Sequence, residues 1–259
     1  MKIGIRENAK QLSVFIAAGI FLAIGAYFSQ DDQIIEKNNS FLESYDDGDY
    51  DLSSVEDIEK LAEQAVSDEV AVELLKNVAY AYLGQGEDQK AIEVFQKATG
   101  YTIINSLDYY LIFAEIAELE EKLNVTLYNY KKALALSPND PQVNNSLGLF
   151  YIDLEDLHPG FCDYEKAVFH LEKAEKNSEF NLAKENLGIA YYFNEEYDEA
   201  LQKLLSTDAE NKPHLNYWIA LTYLAQDKAD ESIGYFRSAY EAGFDMPQEI
   251  VDFLTEHDG

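Results

Sequence analysis

A chain of 259 residues with 47% hydrophobic content has the material for a buried core, so wholesale disorder is excluded. Its formal charge of −30, from 49 acidic against 19 basic residues, opposes binding to nucleic acid, where lysine and arginine must displace counterions, and to anionic lipid headgroups. A single cysteine, Cys162, rules out an intramolecular disulfide and any metal site built on paired thiols.

The first thirty residues are a different material. Lys2, Arg6 and Lys10 precede an uncharged run from Leu12 to Phe28, and Asp31 and Asp32 follow it. With Glu7 counted, residues 1–30 carry +2 and the remainder −32. The 17-residue run would rise about 25 Å as a helix, short for a membrane span and long for the core of a cleaved signal. Phe15, Phe21, Tyr27 and Phe28 suit an uncleaved signal anchor, with Tyr27 at headgroup depth. A signal cleaved at Ile24-Gly25-Ala26 and a soluble buried helix are the alternatives. The basic flank then stays in the cytoplasm, which puts the acidic remainder in the periplasm or outside the cell. Residues 31–52 read as an acidic linker. The alternating aspartates from Asp46 to Asp51 invite a calcium loop, but Leu52 and Ile58 stand where that loop needs Gly and Glu.

From residue 53 to 259 the pattern is helical. Ser53 and Glu56 form a capping box ahead of Ile58, Leu61, Ala62 and Ala65, which predicts a lead-in helix. A ladder of small residues follows: Ala79, Ala114, Gly148, Gly188 and Ala220, at gaps of 35, 34, 40 and 32. A recurrence near 34 predicts stacked helical hairpins rather than one globular core. The first hairpin spans about Val72 to Tyr101, with Ala79 and Tyr82 on one helix, a break at Gly84 and Gly86, and Ala91, Phe95 and Ala98 on the next. The second carries Ala114 and Ala117, then Thr126, Tyr130, Ala133 and Pro138. The third carries Leu147-Gly148 and Tyr151, then Ala167, Leu171 and Ala174. The fourth carries Leu187-Gly188 and Tyr191, then Ala200 and Leu204; the fifth Ile219-Ala220 and Tyr223, then Ser232, Phe236 and Ala239. Asp140-Pro141 and Lys212-Pro213 place proline at helix starts. Ile250, Phe253 and Leu254 predict a capping helix from Met246 to about Glu256.

Over residues 70–242 this arrangement resembles the tetratricopeptide repeat family. The resemblance implies an all-α solenoid of about five helical hairpins with lead-in and capping helices, and a function in protein binding. The tryptophan of that motif is missing from every unit, Trp218 standing elsewhere. About six extra residues from Glu155 to Phe161, with Leu147-Gly148, Lys166-Ala167 and Lys173-Ala174, make the third unit similar to a Sel1-type repeat.

Chemistry has no support in the sequence. The histidines, His158, His170, His214 and His257, form no zinc-protease motif, and no phosphate loop or serine elbow occurs. His158 and Cys162 in the inserted turn are too few for a metal site. The expectation is no enzyme, no cofactor, no catalytic residue and no metal, a weak metal-dependent hydrolase being a remote alternative. Stacked hairpins line one face with their first helices. That face should carry Tyr80, Leu83, Leu111, Leu149, Ile152, Ile189, Tyr192, Phe193, Tyr217, Leu221 and Leu224, among Glu73, Asp108, Glu115, Glu118, Asp153 and Glu185. An apolar groove edged with carboxylates suits a basic-flanked amphipathic helix or extended peptide. Lys76 and Asn145 alone fall where a clamp for an acidic chaperone tail would want cationic and amide groups, so that use is disfavoured. The expected function is a membrane-anchored scaffold for an envelope or secretion complex. A freely secreted repeat protein that assembles with itself is the alternative.

Overall fold

The computed structural model describes residues 34, 36–39, 52–65, 67–152, 162–176, 181–207 and 212–257. The apolar run at 12–28, most of the linker, Asp153 and the insertion at 155–161 lie outside them. Among the described residues all regular structure is helical, and no helix is long and apolar enough to cross a membrane. The chain divides into two compact units, one within Asn8–Val143 and one within Asn144–Gly259.

In the first unit, α1 (Leu52–Gln64) leads into two hairpins, α2 (Asp68–Gly84) with α3 (Asp88–Thr99), and α4 (Leu107–Leu119) with α5 (Leu123–Leu136). The start of α6 (Pro141–Ile152) completes it. Helix α1 begins at Leu52, so Ser53 falls inside the first turn rather than ahead of it. Helix α2 starts four residues before the expected Val72, because Ser67 caps it: Oγ accepts from the amides of Glu69 at 3.2 Å and Val70 at 3.4 Å. Asp68 and Glu69 then sit against the positive end of the helix dipole. Gly86, at φ 74°, turns the chain where other residues would be strained. Ser106 Oγ caps α4 through Tyr109 N at 3.2 Å, and Asp140 Oδ1 caps α6 through Val143 N at 3.0 Å, with Pro141 at the first turn as the sequence predicts.

In the second unit the rest of α6 pairs with α7 (Tyr164–Lys176), α8 (Asn181–Phe193) with α9 (Tyr197–Leu205), and α10 (Pro213–Ala225) with α11 (Ala229–Glu241). Helix α12 (Gln248–Glu256) closes the chain, starting after Pro247, with Ile250 and Leu254 buried and Phe253 edge-on to Phe236 at 6.2 Å.

The ladder is the core of both units. Ala79, Ala114, Ala220, Gly148 and Gly188 are all buried, as are the opposing Phe95, Tyr130, Leu171, Leu204 and Phe236. A Cβ added at Gly148 would overlap the side chain of Leu171. One added at Gly188 would meet Leu204 Cγ and Cδ2 at 2.7 Å and its backbone nitrogen at 3.3 Å. Glycine therefore stands where α8 and α9 approach most closely, not where a turn needs it. Gly188→Ala is expected to destabilise the second unit. Overpacking costs about 1–3 kcal/mol and outweighs the roughly 1 kcal/mol of helix propensity that alanine restores. Gly234→Ala on α11, where nothing lies within 4 Å of the added carbon, should be neutral or stabilising. Thermal unfolding of the two variants should shift in opposite directions; shifts of the same sign would refute the close-approach argument.

Candidate partner-binding surface

The first helix of each hairpin presents a stripe spaced by three, four and three residues, one face of a helix. On α2 the stripe is Glu73, Lys76, Tyr80 and Leu83; on α4 it is Asp108, Leu111, Glu115 and Glu118. These two rows hold a polar network. Lys76 keeps 5% of its side chain exposed and sends Nζ to Asp108 Oδ1 at 3.5 Å and to Gln142 Oε1, at the start of α6, at 3.4 Å. From α5, the Tyr130 hydroxyl donates to Glu118 Oε2 at 2.9 Å and lies 3.4 Å from Glu115 Oε1. Tyr80, half-buried, sets its ring edge-on to Phe95 at 5.4 Å.

One ammonium thus acts on Glu73, Asp108 and Glu115, with Glu118 joined to the same network through the Tyr130 hydroxyl. Burial pushes the Glu73 carboxyl up to about 7; Lys76 offsets part of that and Asp108 adds to it. Burial likewise pushes Glu115 up to about 7, against the pull of Lys76 and of hydrogen bonds from Tyr130 and Tyr80. The Tyr80 and Tyr130 hydroxyls are held well above the usual phenol range by burial and by the same carboxylates, so they stay donors.

The second unit answers with aromatic rings. Tyr192 and Phe193, both half-buried at the end of α8, lie edge-on to Trp218 at 5.5 Å each. Phe193 also stacks on Tyr164 at 5.4 Å, and Tyr192 leans on Tyr197 at 5.9 Å. Earlier on the same helix, Glu185 of α8 is almost wholly buried and binds Lys212 Nζ and, at 3.3 Å, His214 Nε2 of α10. Burial raises the Glu185 carboxyl, but His214 and Lys212 together outweigh that and hold it below the ordinary range. Asn186 Nδ2 donates to Asn145 Oδ1 at 2.8 Å.

Of the residues expected on the partner-facing side, Tyr80, Leu83, Tyr192, Phe193 and Leu224 are half-buried and reach the surface. Leu111, Leu149, Ile152, Ile189, Tyr217 and Leu221 are buried in the fold instead. Leu111 and Tyr217 sit three residues before a ladder residue, the place from which Lys76 and Glu185 touch the neighbouring first helix. Tyr217 packs on Phe236 and Phe244 at 5.8 and 5.1 Å. Lys76 and Asn145 are both engaged internally. Trp218, Tyr164 and the Lys212–Glu185–His214 group escaped the sequence reading. The signal for Trp218 is its position two residues before Ala220 on the next first helix after the one that ends in Tyr192-Phe193. Among the described residues no group of three or more His, Cys, Asp or Glu is arranged to hold a metal ion.

Comparison with known proteins agrees with the fold. The tetratricopeptide repeat family matches residues 72–102, which span α2, α3 and the turn that joins them. No curated protein matches the chain. Among solved structures it is similar to PilW, a type IV pilus biogenesis factor, with TM-score 0.55 and 16% identity over 70% of this chain and 82% of that one. It is similar to a tetratricopeptide protein of Thermus thermophilus, TTC0263, with TM-score 0.54 and 19% identity over 71% and 96%. It is also similar to the Cut9–Hcn1 hetero-tetramer of the APC/C, with TM-score 0.62 and 15% identity over 98% of this chain and 47% of that one. The chain has an all-α fold of the tetratricopeptide type. Folds of this type bind protein partners, and no catalytic family is indicated.

Proposed function

We propose that this chain is a scaffold that captures a protein partner on the face formed by its first helices, and that the partner contributes lysine or arginine. The observation that carries the reading is the excess of carboxylates over Lys76 in the first unit. Glu73 and Glu115, both pushed up to about 7, are held in a charge state that an incoming cation would relieve. Tyr80 and Leu83 supply half-buried apolar contacts beside those carboxylates, and Tyr192 and Phe193 offer apolar contacts on the second unit by itself. A basic-flanked amphipathic helix or extended peptide fits this chemistry.

The same reading ties the scaffold to a membrane through Leu12–Phe28, with Lys2, Arg6 and Lys10 on the cytoplasmic side and the hairpins outside the cytoplasm. It assigns the chain to assembly of an envelope or secretion complex, and the third hairpin to the Sel1-like variety. The similarity to a pilus biogenesis factor supports that assignment at the level of fold.

The test is capture from intact cells by crosslinking and affinity purification, with Glu73→Gln/Glu118→Gln beside the wild type. Glutamine keeps the acceptor that Tyr130 needs at 118 and removes the charge. Recovery of the partner should fall about tenfold, the equivalent of 1.4 kcal/mol. Undiminished recovery, with native helicity, would remove the carboxylate face from the reading. Extraction of the protein by alkaline carbonate, or a mature N-terminus near Ala26, would refute the anchor.

A further inference from the structure

The outer side of the first unit carries a second surface. In every hairpin but one, the second helix bears at least two carboxylates: Asp88 and Glu93 on α3, Glu165, Glu172 and Glu175 on α7, Asp198 and Glu199 on α9, Asp230, Glu231 and Glu241 on α11. Helix α5 has none, in a chain with 49. Its charged residues are Lys131 and Lys132, both exposed. Val125, Tyr128 and Leu136 are exposed at 47%, 57% and 54%, and with Lys132 they form one stripe at helical spacing. Lys132 Nζ lies 5.4 Å from the centre of the Tyr128 ring, which fixes the ring outward.

The connection from α3 to α4, residues 100–106, carries no charge and exposes Ile103 at 78% and Ile104 at 72%. Helices α3 and α5 hold the same place in successive hairpins and run parallel. The connection and Leu136 therefore stand at the same end of the unit. Five of the eight large hydrophobics exposed among the described residues fall on α5 and this connection. Single exposed apolar residues need no explanation, but a grouped set marks an interaction site.

Charge selects the occupant. Two adjacent lysines framed by apolar side chains call for a partner with carboxylates at its rim. A chain of net −30 supplies such a surface on every other copy of itself. Two α5 faces meeting each other would set lysine against lysine, so the face must meet a different part of the second copy. We propose that the α5 face docks on a carboxylate-bearing surface of a second copy of this chain, in a head-to-tail contact that does not close at the dimer.

Sedimentation of the full chain in mild detergent, over a dilution series at low and high salt, tests this. The mass should rise with concentration past the dimer, and association should weaken as salt screens the lysines. Tyr128→Glu/Lys131→Glu/Lys132→Glu should move the association midpoint to at least about tenfold higher concentration with unchanged helicity. Tyr128→Ser should do the same more weakly. A monomer at every concentration, a mass that stops at the dimer, or association unchanged in the triple variant would overturn the proposal. So would a photo-crosslinker at residue 128 that joins only a different protein in cells. Partner capture by the carboxylate face is a separate readout, so failure of one does not entail failure of the other.

Discussion

Lys76→Met is expected to destabilise the first unit by about 1–3 kcal/mol at pH 8, less than the loss of a fully buried ion pair, because the Asp108 side chain is 47% exposed. The same substitution should cost less at pH 5. Lys76 is buried against Asp108 and Gln142, and it is the cation that offsets the burial of Glu73 and Glu115. Methionine fills nearly the same volume, so packing survives and the charge alone is lost. At pH 8 both glutamates are largely ionised in the wild type; without the ammonium each must stay charged in a buried place or take up a proton against the solvent pH, and either costs free energy. At pH 5 both carry protons, because their titration is centred at about 7, and of these contacts the ammonium keeps only those to Asp108 and Gln142. Urea unfolding of wild type and variant at the two pH values gives the comparison. An equal loss at both would mean that Lys76 acts through packing, Asp108 or Gln142 rather than through the two glutamates, and the account of the carboxylate excess would fail with it.

The hairpins were legible because their signal is geometric. Small residues must recur where two helices approach, and a large residue must face each one. Gly148 and Gly188 oppose Leu171 and Leu204, while Ala79, Ala114 and Ala220 occupy the units whose second helices carry Phe95, Tyr130 and Phe236. That regularity survives without coordinates. Helix starts were legible where a cap has a distinctive neighbour, as in Asp140-Pro141, and were missed at Ser67, which has none.

Depth was not legible. Periodicity put Leu149, Ile189 and Leu221 on the same stripe as Tyr80 and Glu115, directly after a ladder residue. The three aliphatic side chains are buried, whereas Tyr80 and Glu115 stay half-buried at the same place. A stripe tells which way a residue points but not what its neighbour covers. The polar pairs were readable in principle. Lys76 meets Asp108, and Glu185 meets His214. In both cases a residue three before one ladder position meets a residue six before the next. Comparing the units in register would have exposed that rule, whereas reading each helix alone did not.

The same polar pairs give the two units opposite responses to pH. In the first unit, Glu73 and Glu115 titrate at about 7 when folded, against an ordinary 4.5. The folded state therefore holds protons that the unfolded chain releases between those values. Stability from this source is complete below pH 4.5 and is lost as pH rises through 7, by up to about 1.4 kcal/mol per pH unit for each proton. Lys76, Asp108, Glu118 and the Tyr80 and Tyr130 hydroxyls surround the pair and none of them reverses the sign. Glu63, exposed beside Lys97, is shifted down but is screened by water. In the second unit His170 is buried, stacked against Tyr151 at 6.1 Å and bonded through Nδ1 to Asn144 Oδ1 at 3.0 Å. Burial, with Lys173 and Lys166 nearby, lowers it to about 4 from an ordinary 6.5. Glu185 is lowered as well, by His214 and Lys212. Here the unfolded chain binds the extra protons, so stability is lost as pH falls from 6.5 toward 4. Acid also relaxes the repulsion within a chain of −30, but that acts on both units alike. Hydrogen exchange, corrected for its intrinsic pH dependence, should show protection of α2–α5 rising relative to α7–α10 between pH 7.5 and pH 5. Glu73→Gln should flatten the first response and leave the second untouched. Parallel changes in the two units would mean that net charge, and not these buried groups, governs the response.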